Sequence, residues 1–160
     1  MHLADEMLEH FLGVGEIGDD AVFHRAYHRQ VARGAAQHLL GVGADRGHQG
    51  ADVFAACGSP LVVAHSGVVK AKAFHGSAGN YVVIDAAGVK QDYMYAHLKK
   101  PSSLSKGQQV TTGQEVGFVG ATGNASGCHL HFEIWVGAGW YSGGKPIDPV
   151  PTLKYWDSFS

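Results

Sequence analysis

The stretch Gly127-Cys128-His129-Leu130-His131-Phe132-Glu133-Ile134 alternates by residue type. His129, His131 and Glu133 take every second position, and Leu130, Phe132, Ile134 and Val136 take the positions between. Successive side chains of a β-strand point to opposite faces, so the pattern predicts a strand with two imidazoles on one face and an apolar row on the other. The apolar row requires a core. The other face suits a metal ion, since imidazole is the commonest metal ligand. Two imidazoles from one strand converge on an ion only if other segments supply further ligands.

The rest of the chain supports a mainly β framework for that strand. Twenty-three glycines among 160 residues point to many tight turns between short strands, as an all-β domain requires. Strands are predicted over 61–65, 68–74, 80–85, 91–98, 110–112 and 115–119, with 120–127 a loop of small and polar residues. In the 91–98 strand, strict alternation puts Tyr93, Tyr95 and His97 on one face and Met94, Ala96 and Leu98 on the other. A turn is expected over 137–144, with Leu153, Tyr155 and Trp156 of the tail packing back on the domain.

Length favours one domain. The natural division is an N-terminal segment, 1–43, of unassigned role and a domain over 44–160. Leu3, Met7, Leu8 and Phe11 fall at helical spacing, and a second helical or irregular segment is expected over 21–40. There His24 and His28 could share a helix face, although two solvated histidines explain them as well. A formal net charge of −2 and a charged fraction of 16% provide no basic field for nucleic acid and no cationic face for a membrane surface. No run approaches the roughly 18 apolar residues of a membrane span, and the N-terminus shows no basic start followed by an apolar signal core.

The further ligands have a candidate source. His48-Gln49-Gly50-Ala51-Asp52 places an imidazole and a carboxylate four apart, with a glycine that permits a tight path between them. Alone the motif is weak. Joined to His131 it becomes a His, Asp, His set, the composition of a catalytic zinc site with its fourth position open. His97 and His129 then remain as two further imidazoles, suited to taking a proton from water or holding a developing oxyanion. That combination suits metal-assisted hydrolysis of an amide.

In order and spacing, His48-Gln49-Gly50-Ala51-Asp52, Tyr95-Ala96-His97-Leu98 and His129-Leu130-His131-Phe132-Glu133 resemble the lysostaphin/LytM-type M23 zinc metallopeptidases. The stretch 79–84, the turns over 106–117, Thr122-Gly123-Asn124 and Pro146-Ile147-Asp148-Pro149 also fit that family's pattern, so the resemblance covers about residues 44–150. It implies a two-layer antiparallel β fold with a narrow groove, Zn2+ at its floor, and cleavage of peptide stems or cross-bridges in bacterial peptidoglycan. On this likeness His48, Asp52 and His131 are the metal ligands, and His97 and His129 act on water and the tetrahedral intermediate. Glu133 is not a ligand and has a supporting role. Asn80 and Tyr95 are candidates for the groove lining, with packing or turn roles as the alternative.

Cys57 and Cys128 resemble cysteines of secreted members of the family, which makes a disulfide between them a candidate. The alternative is two small buried thiols. A bridge would close a loop of about 70 residues, worth roughly 4 kcal/mol in the chain-entropy model. An extracytoplasmic location follows from substrate and cysteines, not from a signal. Two other functions compete with the peptidase: a catalytically silent relative that binds cell wall or regulates an amidase, and a small carrier-like barrel suggested by the Lys-Gly-Gln turns. Silent relatives typically lose ligands, whereas this chain keeps all five residues. The carrier reading leaves five histidines unexplained.

Overall fold

A computed structural model describes residues 39–40 and 48–157. The helical expectations for 3–11 and for 21–38, and the His24/His28 pair, lie outside the described residues. Among the described residues, ten strands and one helix follow in order. They are β1 (Leu39–Leu40), β2 (Ala51–Phe54), β3 (Pro60–Val62), β4 (Gly67–His75), β5 (Gly79–Ala86), β6 (Gln91–Leu98), β7 (Gln109–Val110), β8 (Glu115–Phe118), β9 (His129–Val136), β10 (Lys145–Ile147) and α1 (Val150–Asp157). Leu39–Leu40 thus form a strand where a helical or irregular segment was expected. The sequence reading also lacked β2 and β10, which are short and carry little alternation of their own.

Eight strands form one antiparallel sheet in the order β1-β2-β9-β6-β5-β4-β7, with β10 also paired to β9, while β3 and β8 make a separate two-stranded sheet. The main core lies between them. Leu130, Phe132 and Ile134 of β9, Tyr93 and Tyr95 of β6 and Val82 and Ile84 of β5 meet Leu61 of β3 and Val116 of β8 there. The other face of the large sheet carries His129, His131, Glu133, Met94 and Ala96, so β9 divides its two residue types between core and cleft as the alternation predicts.

β6 departs from strict alternation at one place. Asn80 pairs with Leu98 but Val82 pairs with Tyr95, so Ala96 and His97 together face the single residue Tyr81. His97 takes up this β-bulge with a left-handed φ of 58°. The side chains beyond it change faces: Leu98 enters the main core and His97 turns to the cleft beside Met94 and Ala96. Tyr95 therefore does not share a face with His97. It is 3% exposed and its hydroxyl accepts a 2.7 Å hydrogen bond from the Ala64 amide, so its role is packing and not groove lining.

The tail packs back as a helix. Asp148 caps it by accepting from the Val150 amide at 2.8 Å, and Pro149 in the first turn needs no amide partner. Leu153 is buried and Tyr155 packs on the core, while the Trp156 side chain lies outside the described residues. Among the described residues no helix is long and apolar enough to cross a membrane.

Cys57, just past β2, and Cys128, just before β9, form a disulfide with Cα atoms 5.2 Å apart across a sequence separation of 71. Replacing both cysteines by serine is expected to lower stability by about 4 kcal/mol, read from urea unfolding under oxidising conditions.

Candidate metal centre

The site is assembled by strand register. β2 and β9 pair antiparallel with Asp52 directly opposite His131 and Phe54 opposite His129, which places the carboxylate and the imidazole on one face as nearest cross-strand neighbours. His48 approaches from the segment leading into β2. That segment lies so close to β9 that a Cβ at Gly50 would fall 2.3 Å from the Phe132 carbonyl oxygen and 2.9 Å from His131 Nε2. Close approach to a neighbouring strand, not a turn, is what requires glycine there.

Three donor atoms converge. His48 Nε2 lies 3.1 Å from Asp52 Oδ1, and His131 Nδ1 lies 3.1 Å from His48 Nε2 and 3.0 Å from Asp52 Oδ1. Ligand atoms about 2.05 Å from a tetrahedral ion lie about 3.3 Å from one another, so this triangle opens by only a few tenths of an ångström to accept one. The set could hold a metal ion. Two nitrogens and one oxygen with the fourth side open to the cleft suit a borderline cation with an exchangeable position.

The surroundings fix the ligand orientations. Glu133 Oε1 lies 3.0 Å from His131 Nε2, and its other oxygen accepts a 2.6 Å hydrogen bond from the Trp135 indole N–H. Glu133 therefore holds the far nitrogen of His131 as an N–H and leaves Nδ1 to face the triangle. Its expected supporting role has this physical form. Burial opposes ionisation of Asp52, but the hydrogen bond to His131 and the proximity of His48 outweigh it and hold the carboxyl at about 2. Burial likewise disfavours a charged His131, but its hydrogen bonds to Asp52 and Glu133 raise it to about 9.

Two more imidazoles complete the floor. His97 Nδ1 lies 2.8 Å from the Thr122 carbonyl and His129 Nδ1 lies 2.9 Å from the Gly127 carbonyl. A carbonyl only accepts, so each Nδ1 carries the hydrogen and each neutral ring keeps its lone pair on Nε2. The two rings lie 4.6 Å apart, and His129 Nε2 is 3.6 Å from Asp52 Oδ1. Burial pushes the His97 imidazole down, and the neighbouring His129 and His131 push it the same way against the Thr122 hydrogen bond. His97 is therefore held neutral.

All five expected residues, His48, Asp52, His97, His129 and His131, line one cleft of about 600 Å3. Asn80 does not line it; its amide and side chain bond Thr122 Oγ1 and the Leu98 carbonyl, a turn role. Sequence reasoning missed Trp140 and Tyr141, which form part of the cleft wall. Their only signal was a pair of adjacent aromatics within a glycine-rich turn.

Residues 46–149 match Peptidase family M23. The peptidoglycan DD-endopeptidase ShyA of Vibrio cholerae is 42% identical over 105 residues, which cover 64% of this chain and 22% of that protein. Lysostaphin of Staphylococcus staphylolyticus is 35% identical over 109 residues, covering 67% of this chain and 22% of its own length. The chain thus spans about a fifth of these curated relatives. The catalytic domain of the antimicrobial peptidase lysostaphin from Staphylococcus simulans superposes with a TM-score of 0.64 at 27% identity, over 77% of this chain and 94% of that one. With that match extending across His48, Asp52, His97, His129 and His131, the chain belongs to peptidase family M23.

Proposed function

We propose that the domain is a zinc-dependent endopeptidase that hydrolyses peptide bonds in the stems or cross-bridges of bacterial peptidoglycan, outside the cytoplasm. The observation that carries this reading is the convergence of three candidate ligand atoms within 3.1 Å beside two imidazoles whose Nδ1 atoms face backbone carbonyls. The similarity to the peptidoglycan DD-endopeptidase ShyA supports this substrate, and a disulfide suited to an oxidising compartment supports the location.

His48, Asp52 and His131 would hold the ion. When bound, zinc supplies a Lewis acid that polarises the scissile carbonyl and lowers the pKa of water. The protein's own groups handle the protons. One of His97 and His129 takes the proton of the attacking water at Nε2, and the other, carrying an Nε2 proton taken from bulk water beforehand, gives a hydrogen bond to the oxygen of the tetrahedral intermediate and keeps that proton. The Thr122 and Gly127 carbonyls keep both rings in the required tautomer throughout. Return of a proton from imidazolium to the departing nitrogen completes amide cleavage.

A catalytically silent relative would need a missing or misdirected residue, and all five face the cleft here.

His131→Ala is expected to lose zinc and turnover together. His97→Ala should keep stoichiometric zinc and lose about 10²–10⁴-fold in turnover. Metal analysis beside release of amino termini from purified peptidoglycan separates the two. A wild-type protein that takes up no stoichiometric zinc on reconstitution, or that frees no amino termini from any peptidoglycan type, would sink the proposal. Glu133→Gln offers one acceptor and one donor where His131 and Trp135 require two acceptors, so it should weaken zinc binding about 10–100-fold in a chelator competition.

A further inference from the structure

The cleft wall after β9 carries costs that folding does not repay. Tyr141 is 69% exposed, the most exposed of the large apolar side chains among the described residues. It also holds a left-handed φ of 45°, and His97 is the only other described non-glycine residue with a positive φ. Beside it, the Trp140 indole nitrogen is buried without a hydrogen-bond partner among the described residues. Strained backbone of this kind persists only where the surroundings over-determine it, and it gathers at ligand sites.

The surroundings here do over-determine it. Asp92, 3% exposed, accepts a 2.6 Å hydrogen bond from the Trp140 amide and a 2.6 Å contact from Lys70 Nζ on the same oxygen. Lys70 is the extra residue of a bulge in β4, between the Val69 and Ala71 pairings with β5. Gly139 threads past this ion pair with φ of 83°, where a Cβ would fall 2.4 Å from the Asp92 carboxylate and 2.7 Å from Lys70 Nζ. The loop is fixed from beneath, so its exposed aromatic tip is held out rather than left loose.

Tyr141 is also tied to the centre. Its ring lies 4.9 Å from that of Trp135, the residue that bonds Glu133, and its hydroxyl lies 3.4 Å from Gln49 Oε1, next to His48. Trp140 faces Tyr81 at 5.4 Å across the same wall. The wall formed by Tyr81, Trp140, Tyr141 and Gln49 carries no formal charge. Aromatic side chains of this kind give a ligand large apolar contact area, and a wall without charge favours an uncharged segment.

We propose that Tyr141, on a rim held in place by the Lys70–Asp92 ion pair, is a substrate-binding contact that packs its ring against an extended, uncharged peptide segment in the cleft. This rests on the peptidase reading of the cleft. Tyr141 binds substrate and takes no part in proton transfer, so its loss acts on affinity.

The test measures binding and turnover separately. Binding of a muropeptide dimer cross-linked through D-alanine, and of a glycine cross-bridge peptide, is followed by calorimetry in a His97→Ala background of the zinc-reconstituted chain. Tyr141→Ala is expected to raise Kd about tenfold for whichever peptide binds better, while Tyr141→Phe stays near the parent because the ring face makes the contact. In the His97-intact enzyme, Tyr141→Ala should raise KM by a similar factor, with kcat within about twofold and zinc content unchanged. Asp92→Asn should raise Kd although Tyr141 is intact.

An unchanged Kd in Tyr141→Ala, a loss of zinc or kcat in place of affinity, or failure of the parent to bind either peptide would overturn the proposal. A His97-intact, zinc-reconstituted chain that binds peptide but cuts none defeats the peptidase reading and leaves the rim supported by its binding data.

Discussion

Everything at the cleft depends on the pairing of β2 with β9. That ladder is short, yet its register puts Asp52 opposite His131 and brings two candidate ligands from distant parts of the chain to adjacent positions on one face. A slip of one residue would send Asp52 into the core and bring an apolar side chain to the cleft. Two features hold the register. The Cys57–Cys128 bridge ties the end of one strand to the start of the other, and Gly50 lets the preceding segment press against the Phe132 carbonyl. The apolar row of Leu130, Phe132 and Ile134 anchors the opposite face.

The histidines differ in role because of what each ring's second nitrogen touches. His131 meets a carboxylate and presents Nδ1, whereas His97 and His129 meet backbone carbonyls and present Nε2. A carboxylate raises the basicity of a ligand imidazole and favours metal binding. A carbonyl fixes the tautomer without adding charge, which suits a group that must gain and release a proton. The His97 ring lies 4.6 Å from that of His129 and 5.9 Å from that of His131, and on the proposed mechanism their outer partners divide the three into one ligand and two proton carriers.

The alternation of β9 was legible because both of its faces are constrained: one must be apolar and the other carries the imidazoles. The ligand set came from the motifs and their likeness to a known family. β2 was not legible, since four residues with the pattern Ala, Asp, Val, Phe carry too little periodicity to stand out. The purpose of Gly50 was misjudged for a related reason, because contact with β9 is a long-range fact that no local pattern encodes. The Trp140–Tyr141 wall was hidden too. Its position depends on Lys70 and Asp92, which are separated from it in sequence by about 70 and 48 residues.

The bulge at Ala96 and His97 gives β6 two reading frames. Before it, even-numbered positions face the cleft and odd-numbered ones the core; after it, the assignment is exchanged. One surplus residue therefore lets a single strand contribute Tyr95 to the interior and, two positions later, His97 to the opposite side. An uninterrupted ladder over the same residues would instead turn His97 inward and strand its imidazole among aliphatic side chains. The irregular strand is the one that can serve chemistry here, and its regular counterpart would serve packing alone.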